Sequence, residues 1–195
     1  MKQISRQADD FDTALADVDI RWTDDDGAVS RERKGRVYVN NKGMIRFAEF
    51  ESGDHVILVS RKEVQEYDPS RALAERYSLS KHKNRLEPYA RLGFSTTGKD
   101  LRDDYLVTLL GEDQMAGRRV VGLELTPKKE RTREIVAKVR LWIDQASWMP
   151  VRQEIAQVES GNTLTITYLG MARNLKLNPD LFRNKWPKGT QKIRR

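Results

Sequence analysis

The hydrophobic positions of this chain change period soon after it begins. Ile4, Phe11, Leu15 and Val18 recur at intervals close to a helical repeat, with Lys, Arg and Asp around them, and predict an amphipathic N-terminal helix. From Asp17 the period becomes two. Val18, Ile20 and Trp22 alternate with Asp19, Arg21 and Thr23, which predicts a half-buried strand, and Asp24 to Gly27 supplies its turn.

Strand patterns then follow one another. GRVYVN sets Val37 and Val39 against Arg36 and Tyr38, Asn41-Lys42-Gly43 turns the chain, and MIRFAEF returns with Ile45 and Phe47 on one face. HVILVS and EVQEYDP form the next pair, and LAERYSL, with Leu73, Tyr77 and Leu79, reads as an edge strand. Short Gly/Asn/Asp turns between neighbours fit an antiparallel meander better than crossover helices. Ser80 is positioned to cap a helix through KHKNRLEPYARLG, where Leu86, Tyr89 and Leu92 share a face, Pro88 interrupts and Gly93 terminates. Strands resume at YLVTLLG, RRVVGLELTP, EIVAKVRLWID, MPVRQEIAQV and NTLTITYLGMA. The sum is about eleven strands and two or three helical segments, a mainly β (α+β) chain.

Composition narrows this further. At 195 residues, 38% hydrophobic and 33% charged, the chain can build one core, and residues 1–195 are read as a single domain. No apolar run approaches the ~18 residues of a membrane span. The first ten residues lack the apolar stretch of a secretory signal, so the chain is either cytosolic or has lost one. With no cysteine there is no disulfide or thiol chemistry. The net charge of +7 lies partly in RNKWPKGTQKIRR, whose Arg183, Lys185, Lys188, Lys192, Arg194 and Arg195 have no acidic residue among them. A solvated terminus is the plain reading of that tail; nucleic acid, anionic lipid or an acidic protein are its functional ones.

Catalytic patterns are weak. GFSTTGKD, Gly93 to Asp100, resembles a phosphate-binding loop, but Asp100 stands where Ser or Thr would hold magnesium, and no parallel strand leads into it. His55 and His82 are far apart and no cysteine supports a zinc site. Asp103 and Asp104 are adjacent and diverge, and Asp24 to Asp26 lack the alternate spacing of a calcium loop. No catalytic residue, metal or cofactor is therefore assigned. In KVRLWID, Lys138, Arg140 and Trp142 share a face, the best nucleic-acid pattern in the chain, but Asp144 shares it too, and Glu154 and Gln153 lie on a neighbouring strand. A basic exposed sheet face is the simpler reading.

Several segments together resemble the periplasmic lipoprotein carriers, the LolA-like lipoprotein-sorting proteins, over nearly the whole length. GRVYVNNKGMIRF is similar to that family's glycine-aromatic strand, turn and return, and ILVSRKEVQEYDP to its hairpin ending in Tyr67, Asp68 and Pro69. VTLLGEDQMAGRRVVGLELTPK and LWIDQASWMPVRQEI resemble its later hairpins, and Asn174, Leu177, Phe182, Pro187 and Gly189 its ending. Asn41 and Lys42 stand where the family has an arginine, which is implied to latch the lid, followed by a proline, and Gln65 and Glu66 replace aromatic or apolar residues, so the resemblance is to a divergent branch.

The resemblance implies an incomplete, half-open antiparallel β-barrel with helices over its open face. It implies a periplasmic carrier, not an enzyme, that takes acylated lipoproteins or lipids from the inner to the outer membrane. An inner-membrane ABC transporter and an outer-membrane receptor are its implied partners, with peripheral contact to anionic membrane, no nucleic acid and a monomeric state. The cavity is expected to be lined by Val37, Val39, Ile45, Phe47, Ile57, Val59, Leu141 and Ile143, with Phe11, Leu15, Leu86 and Leu92 from helices. Burying a methylene is worth about 0.8 kcal/mol, so an acyl chain needs a lid that fills the groove when empty if it is to be released. A lipid- or lipoprotein-sensing module of the same fold, and a basic nucleic-acid-binding β protein, are the alternatives.

Overall fold

A computed structural model describes residues 10–50, 55–81, 89, 92, 94 and 98–195. Its strands are β1 (Thr13–Thr23), β2 (Val29–Asn40), β3 (Ile45–Glu49), β4 (Val56–Val59), β5 (Glu63–Asp68) and β6 (Leu73–Ser78). They continue with β7 (Tyr105–Met115), β8 (Arg118–Pro127), β9 (Val136–Asp144), β10 (Pro150–Gln157), β11 (Thr163–Arg173) and β12 (Gln191–Arg194). Two short helices, α1 (Gly98–Asp104) and α2 (Glu130–Arg133), flank β7 and β9. The strands form one open sheet in the order β12-β6-β5-β4-β3-β2-β1-β11-β10-β9-β8-β7. The fold class is the mainly β, half-open type expected, with twelve strands in place of about eleven.

The chain divides into two compact units. Residues 12–18, 34–91 and 170–195 contribute to one, and residues 1–11, 19–33 and 92–169 to the other. In the first, register explains the apolar pattern. Val37 opposes Phe47 and Phe47 opposes Ile57; Val39 opposes Ile45 and Ile45 opposes Val59. Paired residues point to the same side, so these six build one continuous buried ladder. Gly35 is required at its end: a Cβ there would collide with the Ala48 carbonyl and the Phe47 ring.

The opposite side of the sheet, on β4 to β6, carries Val56, Leu58, Tyr67 and Ala74, covered by Trp186, whose indole stacks on Tyr67 at 5.3 Å. This is why HVILVS reads as an unbroken apolar run: β4 is buried on both faces. The C-terminal segment that brings Trp186 there then pairs in parallel with β6, Gln191 opposite Leu73 and Arg194 opposite Arg76. LAERYSL is therefore not an edge strand, and the basic tail, although largely exposed, is paired into the sheet and to nearby carboxylates. Arg183 and Lys185 pair with Asp180 at 3.0 and 2.6 Å, and Arg195 pairs with Glu75 at 2.7 Å.

In the second unit, the hairpins of β7 to β11 bury Leu125, Val139 and Ile155 in one row and Leu123, Leu141, Gln153 and Ile166 in the next. Gln153 thus faces the core and not the basic face; the Tyr168 hydroxyl donates to its Oε1 at 3.1 Å. Phe94 packs edge-on against Tyr168 at 5.3 Å and tilts against Phe11 at 6.2 Å.

The N-terminal helix is corrected by the structure. Thr13 to Val18 belong to β1, with Ala14, Ala16 and Val18 buried on one face and Leu15 half-buried on the other. Leu15 and Phe11 are therefore not helical lid residues; Phe11 is buried in the short irregular stretch just before β1. Ile4, Leu86 and most of the helix predicted after Ser80 lie outside the described residues. Among the described residues no helix is long and apolar enough to cross a membrane.

Candidate functional site: an apolar cavity at the sheet edge

Strand β7 ends the sheet order, and its composition is unusual for an edge. Leu106 and Leu109 are 61% and 66% exposed, and Leu110 is also exposed. Edge strands are commonly protected by charge, yet here Glu112 and Asp113 come only in the second half of the strand. The apolar half borders a cavity of about 550 Å³ lined by Tyr105, Leu106, Val107 and Leu109 from β7 and by Val121 and Leu123 from β8. Its size falls in the roughly 300–1,000 Å³ range of ligand pockets. Register accounts for most of the lining: Leu109 opposes Leu123, so Tyr105, Val107 and Leu109 share a face with Leu123 and Val121, while Leu106 alternates to the other.

Three further residues complete it. Trp148 reaches the cavity from the turn between β9 and β10, and Arg102 and Lys128 stand at its polar side. The turn is held by Asp144, which accepts from the backbone N–H of Ala146 and Ser147, each at 3.3 Å, and from the Ser147 hydroxyl at 2.6 Å. The Trp148 N–H closes it by donating to the Asp144 carbonyl at 2.8 Å. Burial alone would raise the Asp144 pKa; the Ser147 hydroxyl and the two amides outweigh it and hold the carboxyl below its usual range. The turn forces Trp148 to a φ of 56°, a left-handed conformation uncommon for a bulky residue.

The predicted lining residues fall in two places. Leu141 and Ile143 are buried in β9, directly opposite the cavity residues Leu123 and Val121. Val37, Val39, Ile45, Phe47, Ile57 and Val59 form the ladder of the other unit, and Leu92 is buried in the second unit. The cavity residues Tyr105, Val107 and Leu109 were legible only as an alternating strand, and Trp148, Arg102 and Lys128 had no sequence signal.

The apolar ladder of the first unit ends in a polar group. His55, 7% exposed, has Nε2 3.1 Å from Glu66 Oε1 and Nδ1 3.3 Å from Glu49 Oε2. The hydrogen bond to Glu66 raises the His55 pKa, burial opposes it, and the charges of Glu66, Glu49 and Asp68 add to the rise. At the other end of β2 and β3, the turn with Asn41 does not carry an arginine latch. Asn41 Nδ2 donates to Asp12 Oδ1 at 3.0 Å, while the Asp12 N–H donates to Asn174 Oδ1 at 3.0 Å. Amides and a carboxylate thus pin the start of β1.

The basic face of β9 is internally compensated. Arg140 lies 2.9 Å from Glu124, Lys138 3.6 Å from the same carboxylate, and Arg152 2.6 Å from Glu154 while its guanidinium covers Trp142. The Arg140 hydrogen bond, against burial, lowers the Glu124 pKa. Charges spent on neighbours, and an indole covered by its own arginine, leave little for a phosphate backbone. Among the described residues no group of three His, Cys, Asp or Glu side chains could hold a metal ion.

A family model described only as an uncharacterized protein matches residues 91–176, the stretch that carries the cavity. No curated protein matches the chain. Among solved structures, an uncharacterized conserved protein from Thermus thermophilus superposes with a TM-score of 0.61 at 16% identity, covering 100% of this chain and 98% of that one. The Mycobacterium tuberculosis lipoprotein LppX gives 0.51 at 14% identity, covering 91% and 94%. The LolA superfamily protein NE2245 from Nitrosomonas europaea is 19% identical, covers 93% and 96%, and has a TM-score of 0.46. The chain shares the fold of the Thermus thermophilus protein and of LppX. At these identities the similarity is one of fold.

Proposed function

We infer that the chain is an extracytoplasmic carrier that binds the acyl chains of lipids or lipoproteins and moves them, shielded from water, between membranes. The observation that supports this best is the open apolar cavity beside the exposed leucines of β7. Apolar side chains exposed along an edge are costly in water and favour a partner that covers them. An acyl chain laid against Leu106, Leu109 and Leu123 gains about 0.8 kcal/mol per buried methylene. The role is binding and release, with no catalytic step, and residues 1–195 act as one carrier domain. The wider reading has it periplasmic and monomeric, loaded by an inner-membrane ABC transporter and unloaded at an outer-membrane receptor. Leu141 and Ile143, paired with Leu123 and Val121, continue the apolar face of the cavity into β9.

Native mass spectrometry of the purified protein, followed by displacement of a fluorescent acyl probe, tests this. Co-purified lipid, or saturable displacement by an acylated peptide but not by its unacylated twin, is the expected result. Neither lipid nor displacement would remove the carrier reading.

A further inference from the structure

The cavity beside β7 is not uniformly apolar. Nine of the described residues line it; two of them are cationic, Arg102 and Lys128, and none of the nine is acidic. Both cations are anchored at the same corner. Arg102 lies in the last turn of α1, and the Lys128 ammonium touches the Arg102 carbonyl. The Lys128 backbone N–H also donates to the Asp104 carbonyl at 2.9 Å, so the chain after β8 is fixed to the end of the helix. The nearby carboxylate of Asp104 is engaged elsewhere, 2.6 Å from Lys129 Nζ. Of the three N–H directions of the Lys128 ammonium, one is used by the Arg102 carbonyl. Along the cavity the leucines and valines run away from this cationic corner.

A site with an apolar length and a cationic end is complementary to an amphiphile of the matching polarity. We propose that the cavity selects acyl chains that carry an anionic head, a carboxylate or a phosphate, with Arg102 and Lys128 holding the head and Leu109, Leu123 and Trp148 packing along the chain. This rests on the acyl-carrier reading and adds to it a choice among cargoes: anionic lipids over neutral ones. The shared chemistry is the anion at the end of a hydrocarbon, whether it comes from a free fatty acid or from a phospholipid.

The test is displacement of Nile red from the full chain by hexadecanoate, hexadecyl phosphate and hexadecanol, each below its aggregation concentration and at physiological salt. At least one anionic competitor is expected to bind about tenfold more tightly than hexadecanol, the scale of two partly exposed charge contacts. Tighter binding of the carboxylate would point to fatty acids, and of the phosphate to phospholipids. Arg102→Gln and Lys128→Gln should each weaken binding of the anionic competitors more than that of hexadecanol, so that the preference falls. Arg102→Gln keeps the backbone carbonyl that Lys128 uses, so it reads the charge without disturbing the corner. Equal binding of anionic and neutral competitors, or a preference that survives both substitutions, overturns the proposal while leaving the carrier reading in place. Failure of all three competitors to displace the dye removes both.

Discussion

His55 and Glu66 meet at 3.1 Å on the same side of the sheet as Phe47 and Ile57, so the apolar ladder of that unit ends in a buried ion pair. The pair sets a pH dependence. Its hydrogen bond raises the His55 pKa above the unfolded value of 6.5, so the stabilisation is full below that value and is lost as pH rises through the folded pKa. Unfolding midpoints in urea are expected to fall across that window in the unmodified protein. In His55→Gln they should stay flat there, at a cost of about 2 kcal/mol at pH 6 from the carboxylate left without its cation. An unchanged pH slope in the variant would rule the pair out as its source.

The stack of Trp186 on Tyr67 makes the C-terminal segment part of the core of its unit. Trp186→Ala is expected to cost about 2–3 kcal/mol, less than a fully buried tryptophan because the ring keeps some exposure. Truncation after Pro187 removes β12 and the Arg195–Glu75 pair, and it uncovers the hydrogen-bonding edge of β6. It should lower the thermal midpoint and promote self-association, read by calorimetry and light scattering. A tail that merely carried charge would leave both unchanged.

Much of this architecture is legible in the sequence, for a physical reason. Period-two alternation marks a strand wherever one face is buried, and it located the central β2 to β11 pattern. The failures have specific causes. Ala14, Ala16 and Val18 alternate too, but alanine gives no β signal, and Phe11, Leu15 and Val18 also match helical spacing. Strand β12 is short and polar; its place comes from the return of the chain over Tyr67, a tertiary event. The cavity was illegible because alternation reports which side of a strand is apolar, not whether anything packs against it. Leu109 and Leu141 look alike in sequence, yet one is 66% exposed and the other fully buried.

Gly35 offers a sharper test of the ladder. It opposes Glu49, and a methyl group at its α-carbon would enter the Phe47 ring and the Ala48 carbonyl. Backbone cannot yield as a flexible side chain can, so Gly35→Ala is expected to cost about 3 kcal/mol. Substitution at Gly117, where a Cβ meets nothing, should cost less, through its φ of 75° alone. Equal losses at the two positions, measured by chemical denaturation, would mean that the close approach of Phe47 is not tight.

Asp144 links the stability of the β9–β10 turn to the shape of the cavity, since the bonds it accepts place Ser147 and hence Trp148. Its carboxyl is held below the usual value of 3.8, so its stabilisation is present above that pH and is lost as pH falls through the folded pKa. Asp144→Ala should cost about 2 kcal/mol at neutral pH, with the difference from the unmodified protein shrinking in acid. The same substitution should weaken acyl-probe binding by releasing Trp148 from its strained conformation. Trp148→Phe keeps an aromatic wall and relaxes nothing at Asp144, so it should retain most of the stability. If Asp144→Ala destabilises the chain but binds probe unchanged, the turn serves the fold alone, and the cavity wall does not depend on Trp148.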